Sequence, residues 1–540
     1  MARQGGLRSL FFVGSAAAAV AVAAWAGCSS QGGSGFTAPM PSPSPGAGGG
    51  DDGGGNSGGG NITGGGGNAN PSGAFDFDAS YPPPPCSEGD AGLAGCIDKS
   101  CGSSPTTLTG KVYDPAGKNP IYNVVVYVPR DPMGRLAPVT TGTSSCNTCD
   151  AQIGDYVAVG LTDESGTFTL PNVPTGKAIP VVFQIGKWRS ETRVTTSACK
   201  STTVPAAQSR LPRNQAEGSI PQMAILTGGC DYLPCFMIDM GLDPNEFTGP
   251  GGNGRLHMYR GDTGNGGIAG MVGAGPDLAG GGGGTAGDCT SSNAGKCPLW
   301  SQKTQLERYD IVVLSCECDT HDDTKPDKMP MHDWLNEGGK VFATHYHYTW
   351  FENGPAEFQK VANWSDAGLV LMVPGPFQAD TSFPKGMSFN KWLGNVGALN
   401  ANGTINLKAS DVRTSMTTVN SPSVRWIYDT STTPNDVKYM SFGTPVGGVP
   451  PAADAGEGAT PQYCGKAVLT DLHAGGGSAS AMMGGLLGGG LGAAPTTVPQ
   501  SCMAQDMTPQ EKALEFLFFD LSACVQPDNE PPKPPPPVVQ

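Results

Sequence analysis

GGKVFATHYHYTWF, from Gly338 to Phe351, is the stretch on which the reading of this chain turns. It follows MHDWLNE, Met331 to Glu337, whose apolar spacing predicts a short helix that the glycine pair ends. Lys340 to Thr344 is a β-branched and aromatic run, the composition of a buried strand. His345, Tyr346, His347 and Tyr348 fall where that strand opens into a loop. In an open parallel sheet, ligands sit outside the carboxyl ends of the strands, where loops and helix N-termini present unpaired donors to a crevice. These four residues are therefore the first candidates for a site.

Strand and helix patterns alternate outward from this stretch. Gln222 to Gly229 and Arg255 to Tyr259 read as strands, with a short helix at Pro234 to Leu242 between them. Ser301 to Tyr309 reads as a helix leading into DIVVLS, Asp310 to Ser315, an apolar strand of the kind buried on both faces. Further on come a helix at Phe389 to Leu399, strands at Val424 to Tyr428 and Val437 to Phe442, and an apolar strand at Lys466 to Thr470. Thr508 caps the last helix and Glu511 completes its capping box. This order predicts an α/β doubly wound, mostly parallel sheet of flavodoxin-like form over 219–526. Glycine-rich insertions interrupt it near 261–297 and 475–490. The first lacks GK[ST] and reads as a surface loop, not a phosphate cradle.

Three strand ends then bring reactive side chains to one sheet edge: Glu317 with Asp319, His345 with His347, and Asp471 with His473. His345 or His473 could serve as a base, with Glu317 or Asp471 orienting it. His345, His347 and His473 could instead hold a divalent metal, while no other cofactor is expected. Tyr346, Tyr348 and Trp350 would line the crevice and stack on a ligand, with His347 and Asp471 supplying polar contacts. His321 and His332 read as solvent-facing.

The 540 residues include Gly 81 and Pro 48, so much of the chain lies outside any core. A formal net charge of -15 argues against a nucleic-acid partner, which would need a basic face. Arg3 and Arg8, the apolar run Leu10 to Ala26 and then Gly27-Cys28-Ser29 describe a secretory signal over 1–27. It resembles a bacterial lipoprotein signal, although Trp25 departs from the aliphatic residue that family prefers. The resemblance implies a lipid on Cys28, export, and membrane attachment, with Ser29 favouring the outer membrane of a Gram-negative bacterium. Residues 28–75 then form a Gly/Ser/Pro-rich tether, 76–106 a cysteine-containing connector, and 527–540 an extended proline-rich tail.

With Cys28 set aside, the 16 cysteines leave an odd number for an oxidising compartment to pair. Local candidates are Cys86 with Cys96 or Cys101, Cys230 with Cys235, and Cys289 with Cys297. Cys316 and Cys318 also read as disulfide partners. Cys146 and Cys149 form a CxxC whose use in disulfides is favoured over zinc, because no second CxxC follows at zinc-ribbon distance.

Short strands crowd 107–205: GKVYDPAGKNPIYNVVVYV, then TDESGTFTLPNVPTG, then Val181 to Ile185 and Glu191 to Thr195. These predict a small β-sandwich, followed by a polar linker at about Ser201 to Gly218. The segment resembles the carboxypeptidase regulatory-like, or transthyretin-like, domain family, which implies an accessory fold without catalytic residues. Its insertion Arg130 to Ile153 departs from that family's compact pattern.

In the second half, YDIVVLSCE, WLNEGGKVFATHYHY and GKAVLTDLHAG resemble the class I glutamine amidotransferase-like superfamily, and within it the ThuA-like branch. The resemblance implies that the elbow normally bearing a nucleophilic cysteine carries His345, and that His473 matches the later histidine. Without a thiol at the elbow, amide hydrolysis through a thioester is not expected. The favoured reading is thus a surface-tethered module that binds a ligand such as a carbohydrate or an envelope component. A His-centred, metal-assisted hydrolase is the alternative, and a structural or adhesion scaffold the second.

Overall fold

The computed structural model describes residues 92–146, 153–262, 287–293, 296–365, 373–450, 462–474, 502 and 504–535. The signal 1–27, Cys28, the tether 28–75, Cys86, Cys149 and the insertion 475–490 lie outside the described residues. Among the described residues no helix is long and apolar enough to cross a membrane.

Among the described residues seven strands build the N-terminal half: β1 (Thr107–Lys111), β2 (Val125–Pro129), β3 (Tyr156–Leu161), β4 (Thr167–Pro171), β5 (Gly176–Ile185), β6 (Trp188–Thr196) and β7 (Ser201–Thr203). They form two sheets, ordered β4-β1-β7 and β3-β2-β5-β6. Alternation in β1 and β4 turns Leu108, Phe168 and Leu170 inward against Val126, Val128 and Phe183 of the facing sheet. The rings of Phe168 and Phe183 lie 6.0 Å apart. The residues expected to be a linker begin with β7, which pairs parallel to β1 and so belongs to the sandwich.

Chain order continues through β8 (Met223–Thr227), β9 (Phe247–Thr248), β10 (Leu256–Arg260), β11 (Gly287–Asp288), β12 (Ile311–Leu314) and β13 (Lys340–Thr344). Then come β14 to β18 (Ala362–Trp364, Phe377–Ala379, Met416–Val419, Val424–Asp429 and Val437–Thr444) and β19 (Gly465–Thr470). The sheet runs β11-β10-β8-β12-β13-β19-β18-β16-β14. It is parallel from β11 to β19 and antiparallel from β18 onward, so the α/β core is mostly parallel and carries an antiparallel extension.

Both faces of the parallel part are covered, as its continuous apolar strands require. Ile225, Ile311, Val313, Phe342 and Val468 enter one core, and their strand neighbours Leu226, Val312, Leu314, Val341 and Leu469 enter another. Helix α1 (Leu233–Asp239) packs in the first core; α2 (Lys303–Leu306), α3 (Met329–Asn336), α4 (Thr349–Glu352) and α5 (Ala356–Gln359) border the second.

Beyond α6 (Pro384–Asn395), the last helix, α7 (Pro509–Ser522), is buried around nearly its whole circumference. Such a helix must be covered on every side. One side meets the sheet, with Phe518 6.1 Å from Phe342; the other meets the sandwich, with Trp188 5.8 Å from Phe519 and Tyr122 stacked 5.6 Å from Phe516. The two halves therefore share one core through α7. Its N-terminus has the expected capping box of Thr508 and Glu511.

Polar contacts reinforce this seam. The β5–β6 hairpin turns at Gly186 (φ 56), and Lys187 pairs with Asp310 at 2.5 Å. Asn119 donates to Glu515 at 2.7 Å. Glu515 Oε1 and Asp114 Oδ2 are both buried without a donor, as two facing carboxyls must be until one carries a proton. The tail is less detached than expected: Asp528 is buried in ion pairs with Lys385 (3.0 Å) and Lys466 (2.5 Å).

Cys289 bonds Cys297, matching the local expectation. Cys230 and Cys235 do not pair with each other. Cys230 bonds Cys318 and Cys235 bonds Cys502, because Cys230 precedes α1 at the strand edge while Cys235 sits within the helix. Cys101 bonds Cys199, and Cys146 of the CxxC bonds Cys464, which ties the sandwich insertion to the α/β half and leaves no CxxC metal or redox pair. Among the described residues Cys316 alone is a free thiol.

Candidate functional site

Strands β12, β13 and β19 are neighbours and parallel, so their carboxyl ends open on one edge. The loop after β12 carries Cys316 and Glu317, the turn after β13 carries His345, and the segment after β19 carries Asp471 and His473. His345 has φ 38, a left-handed conformation that costs a non-glycine residue about 1–3 kcal/mol. That bend lets a 3-10 turn, His345–Tyr348, start directly off the strand.

His345 and His473 come together as the sequence suggested, their rings 5.4 Å apart. Both are almost enclosed, at 4% and 5% exposed. Burial pushes His345 down to about 3, with Arg413 and Lys438 adding to the effect. His473 lies well below its ordinary value through burial and the neighbouring His345. Both imidazoles are therefore neutral near pH 7, and His473 Nε2 is buried without a partner.

Neither carboxylate orients these rings. Glu317 is committed to Lys325 at 2.7 Å inside a fully buried pair, and it also accepts the Asp262 N–H at 2.9 Å. Burial raises its carboxyl, with Lys325 opposing the shift. Asp471 accepts the Ser415 N–H at 2.8 Å and the Ser415 hydroxyl. Glu317 and Asp471 thus hold loops in place.

His347 also departs from the ligand role and from the expected three-histidine set. Its Nε2 donates to the Ser315 carbonyl at 2.9 Å and stands 3.7 Å from Glu317. Trp350 is 1% exposed and packs edge-on against Trp300 at 5.3 Å, because α4 turns it into the core. His321 and His332, expected in solvent, are largely covered and sit beside Asp262 and Glu357 respectively.

Tyr346 and Tyr348 do reach the surface, each half-buried. Tyr346 lies against His345 at 4.0 Å, Tyr348 follows at 6.3 Å, and Trp364 stacks on Tyr348 at 6.3 Å with planes 27° apart. The Trp364 indole is fixed by donation from Nε1 to the Gln359 carbonyl at 2.9 Å. The result is an aromatic strip leading from the histidine pair to β14, the outer edge of the antiparallel extension.

Sequence reasoning missed three participants. Trp364 follows a polar stretch that gave no site signal. Cys316 looked like a disulfide partner, yet its Sγ lies 3.6 Å from His345 Nδ1. Burial pushes this thiol up to about 12, so it is not a ready nucleophile. Asp231, after β8, is buried beside Cys316 and pushed up to about 7 by burial; its Oδ1 accepts the Ala474 N–H at 2.8 Å. Comparison with family models, characterised proteins and solved structures returns no match.

Proposed function

We propose that this chain is an exported, lipid-anchored protein whose α/β half binds a carbohydrate along the strip Tyr346–Tyr348–Trp364. The observation that carries this reading is the strip itself: three aromatic side chains in succession, half-exposed, with the terminal indole locked by a hydrogen bond. Rigid aromatic faces offer contact area to the C–H face of a sugar at low entropic cost. His345 closes the inner end.

The assignment of this half to the ThuA-like branch rests on its three motifs. The left-handed backbone of His345 supports it, because that superfamily bends its nucleophile off the strand at the matching point. Binding is favoured over hydrolysis because Cys316, His345 and His473 are almost fully enclosed and neither Glu317 nor Asp471 orients an imidazole. The lipid on Cys28 and the tether would hold such a module at the envelope.

A glycan array followed by calorimetric titration tests the reading. Trp364→Ala and Tyr348→Ala should each weaken the selected glycan about tenfold or more, ~1.4 kcal/mol, without lowering Tm. Absence of any glycan signal, or unchanged affinity in both variants, would overturn it.

A further inference from the structure

The ends of three adjacent strands bring one sulfur and two ring nitrogens to a single point. Sγ of Cys316 and a ring nitrogen each of His345 and His473 all lie within 4.8 Å of one another. Each has a feature that packing alone leaves without a purpose. Cys316 is the one thiol among the described cysteines left out of a disulfide. His473 keeps a buried Nε2 with no partner, although leaving a buried polar atom unpaired is costly. His345 holds a strained backbone that delivers its ring to the thiol.

We propose that Cys316, His345 and His473 form a binding site for zinc or a similar soft divalent ion. One thiolate and two imidazoles form a donor set suited to zinc or copper, whereas calcium and magnesium require oxygen ligands. Three protein ligands leave a fourth position for water or for an oxygen of a bound molecule. Binding replaces the thiol proton, which leaves to solvent, by a sulfur–metal bond. The buried Asp231 beside Cys316 has an Oδ2 without a donor. The other local grouping, Asp98 with Cys101 and Cys199, offers no such site because its two sulfurs are bonded to each other. The metal site does not depend on carbohydrate binding: zinc can bind where the strip takes no glycan, and the reverse holds.

The experiment is metal analysis of the full chain purified without chelator, followed by zinc and cobalt(II) titration. One equivalent of zinc per chain is expected. Cobalt should give the intense visible bands of a tetrahedral centre together with a near-ultraviolet thiolate charge-transfer band. That band should vanish in Cys316→Ser. Loss of a supporting partner around a metal already costs about 10–100-fold, so His473→Ala, which removes a ligand, should weaken zinc by at least about a hundredfold. Should Cys316→Ser fail to fold, the wild-type cobalt spectrum and His473→Ala decide. No stoichiometric metal, an octahedral spectrum without the sulfur band, or equal affinity in the folded variants overturns the site.

Discussion

Replacing Glu515 by glutamine should make the protein less sensitive to alkaline pH, and the reason lies in one shared proton at the seam between sandwich and sheet. Burial pushes the Asp114 carboxyl from 3.8 up to about 6, against backbone hydrogen bonds from Lys118 and Asn119 that oppose the shift. Glu515 is raised well above 4.5, by burial first and then by the Asp114 charge. Both folded values exceed the unfolded ones, so over this window the native state holds more protons than the unfolded chain. Stability is then greatest below the ordinary carboxylate range and falls as pH rises through about 6. The Asp114 shift alone is worth ~3 kcal/mol, at about 1.4 kcal/mol per unit. In Glu515→Gln the new amide would keep an acceptor for Asn119 and offer Asp114 a permanent donor, which removes the coupling. Melting curves of both proteins from pH 4 to 9 read the effect. Groups such as Glu191, raised to about 8 by burial, titrate equally in both and cancel. At roughly 2–4 °C per kcal/mol for domains of ordinary size, the variant should gain several degrees over wild type at the alkaline end and none at the acid end. Parallel curves would refute the shared proton.

Two further tests address the packing beneath the site and at the seam. Lys325→Met strands the buried Glu317 carboxylate and should cost about 3–5 kcal/mol, while Lys325→Met with Glu317→Gln should recover most of that; equal losses in urea unfolding would refute the pairing. Gly186→Ala would drive a Cβ into the Ser522 carbonyl oxygen from a left-handed turn. Strain of about 1–2 kcal/mol plus undocking of the hairpin should lower Tm and expose Trp188 to solvent, and an unchanged Trp emission maximum would count against it.

The parts of the fold that were legible are those where one residue's neighbours in sequence decide its state. The apolar runs of β8, β12, β13 and β19 lie within a residue or two of their expected positions, and Thr508 with Glu511 marked the start of α7 from side-chain chemistry alone. The convergence of His345 and His473 followed from parallel strands sharing an edge. What failed was whatever depends on rotation after the strand ends. His347, Trp350 and Asp471 sit beside the legible residues, yet the 3-10 turn and α4 rotate the first two inward, and Asp471 is taken up by Ser415. Cys316 and Cys318 differ by two positions, and only the path of the loop sends Cys318 to Cys230 and Cys316 to His345. Trp364 gains meaning only from Tyr348, which two short helices, α4 and α5, separate from it in the chain.

The cross-links carry a demand on the cell that makes this protein. Cys146 waits for Cys464, 318 residues later, and Cys235 for Cys502, 267 residues later. A chain emerging N-terminus first presents each early thiol with several wrong partners, Cys230 and Cys235 being close neighbours among them. An oxidant acting at once would trap adjacent sulfurs together and strand the late ones. Refolding of the reduced chain should accordingly recover more native protein with a disulfide isomerase present than with an oxidant alone.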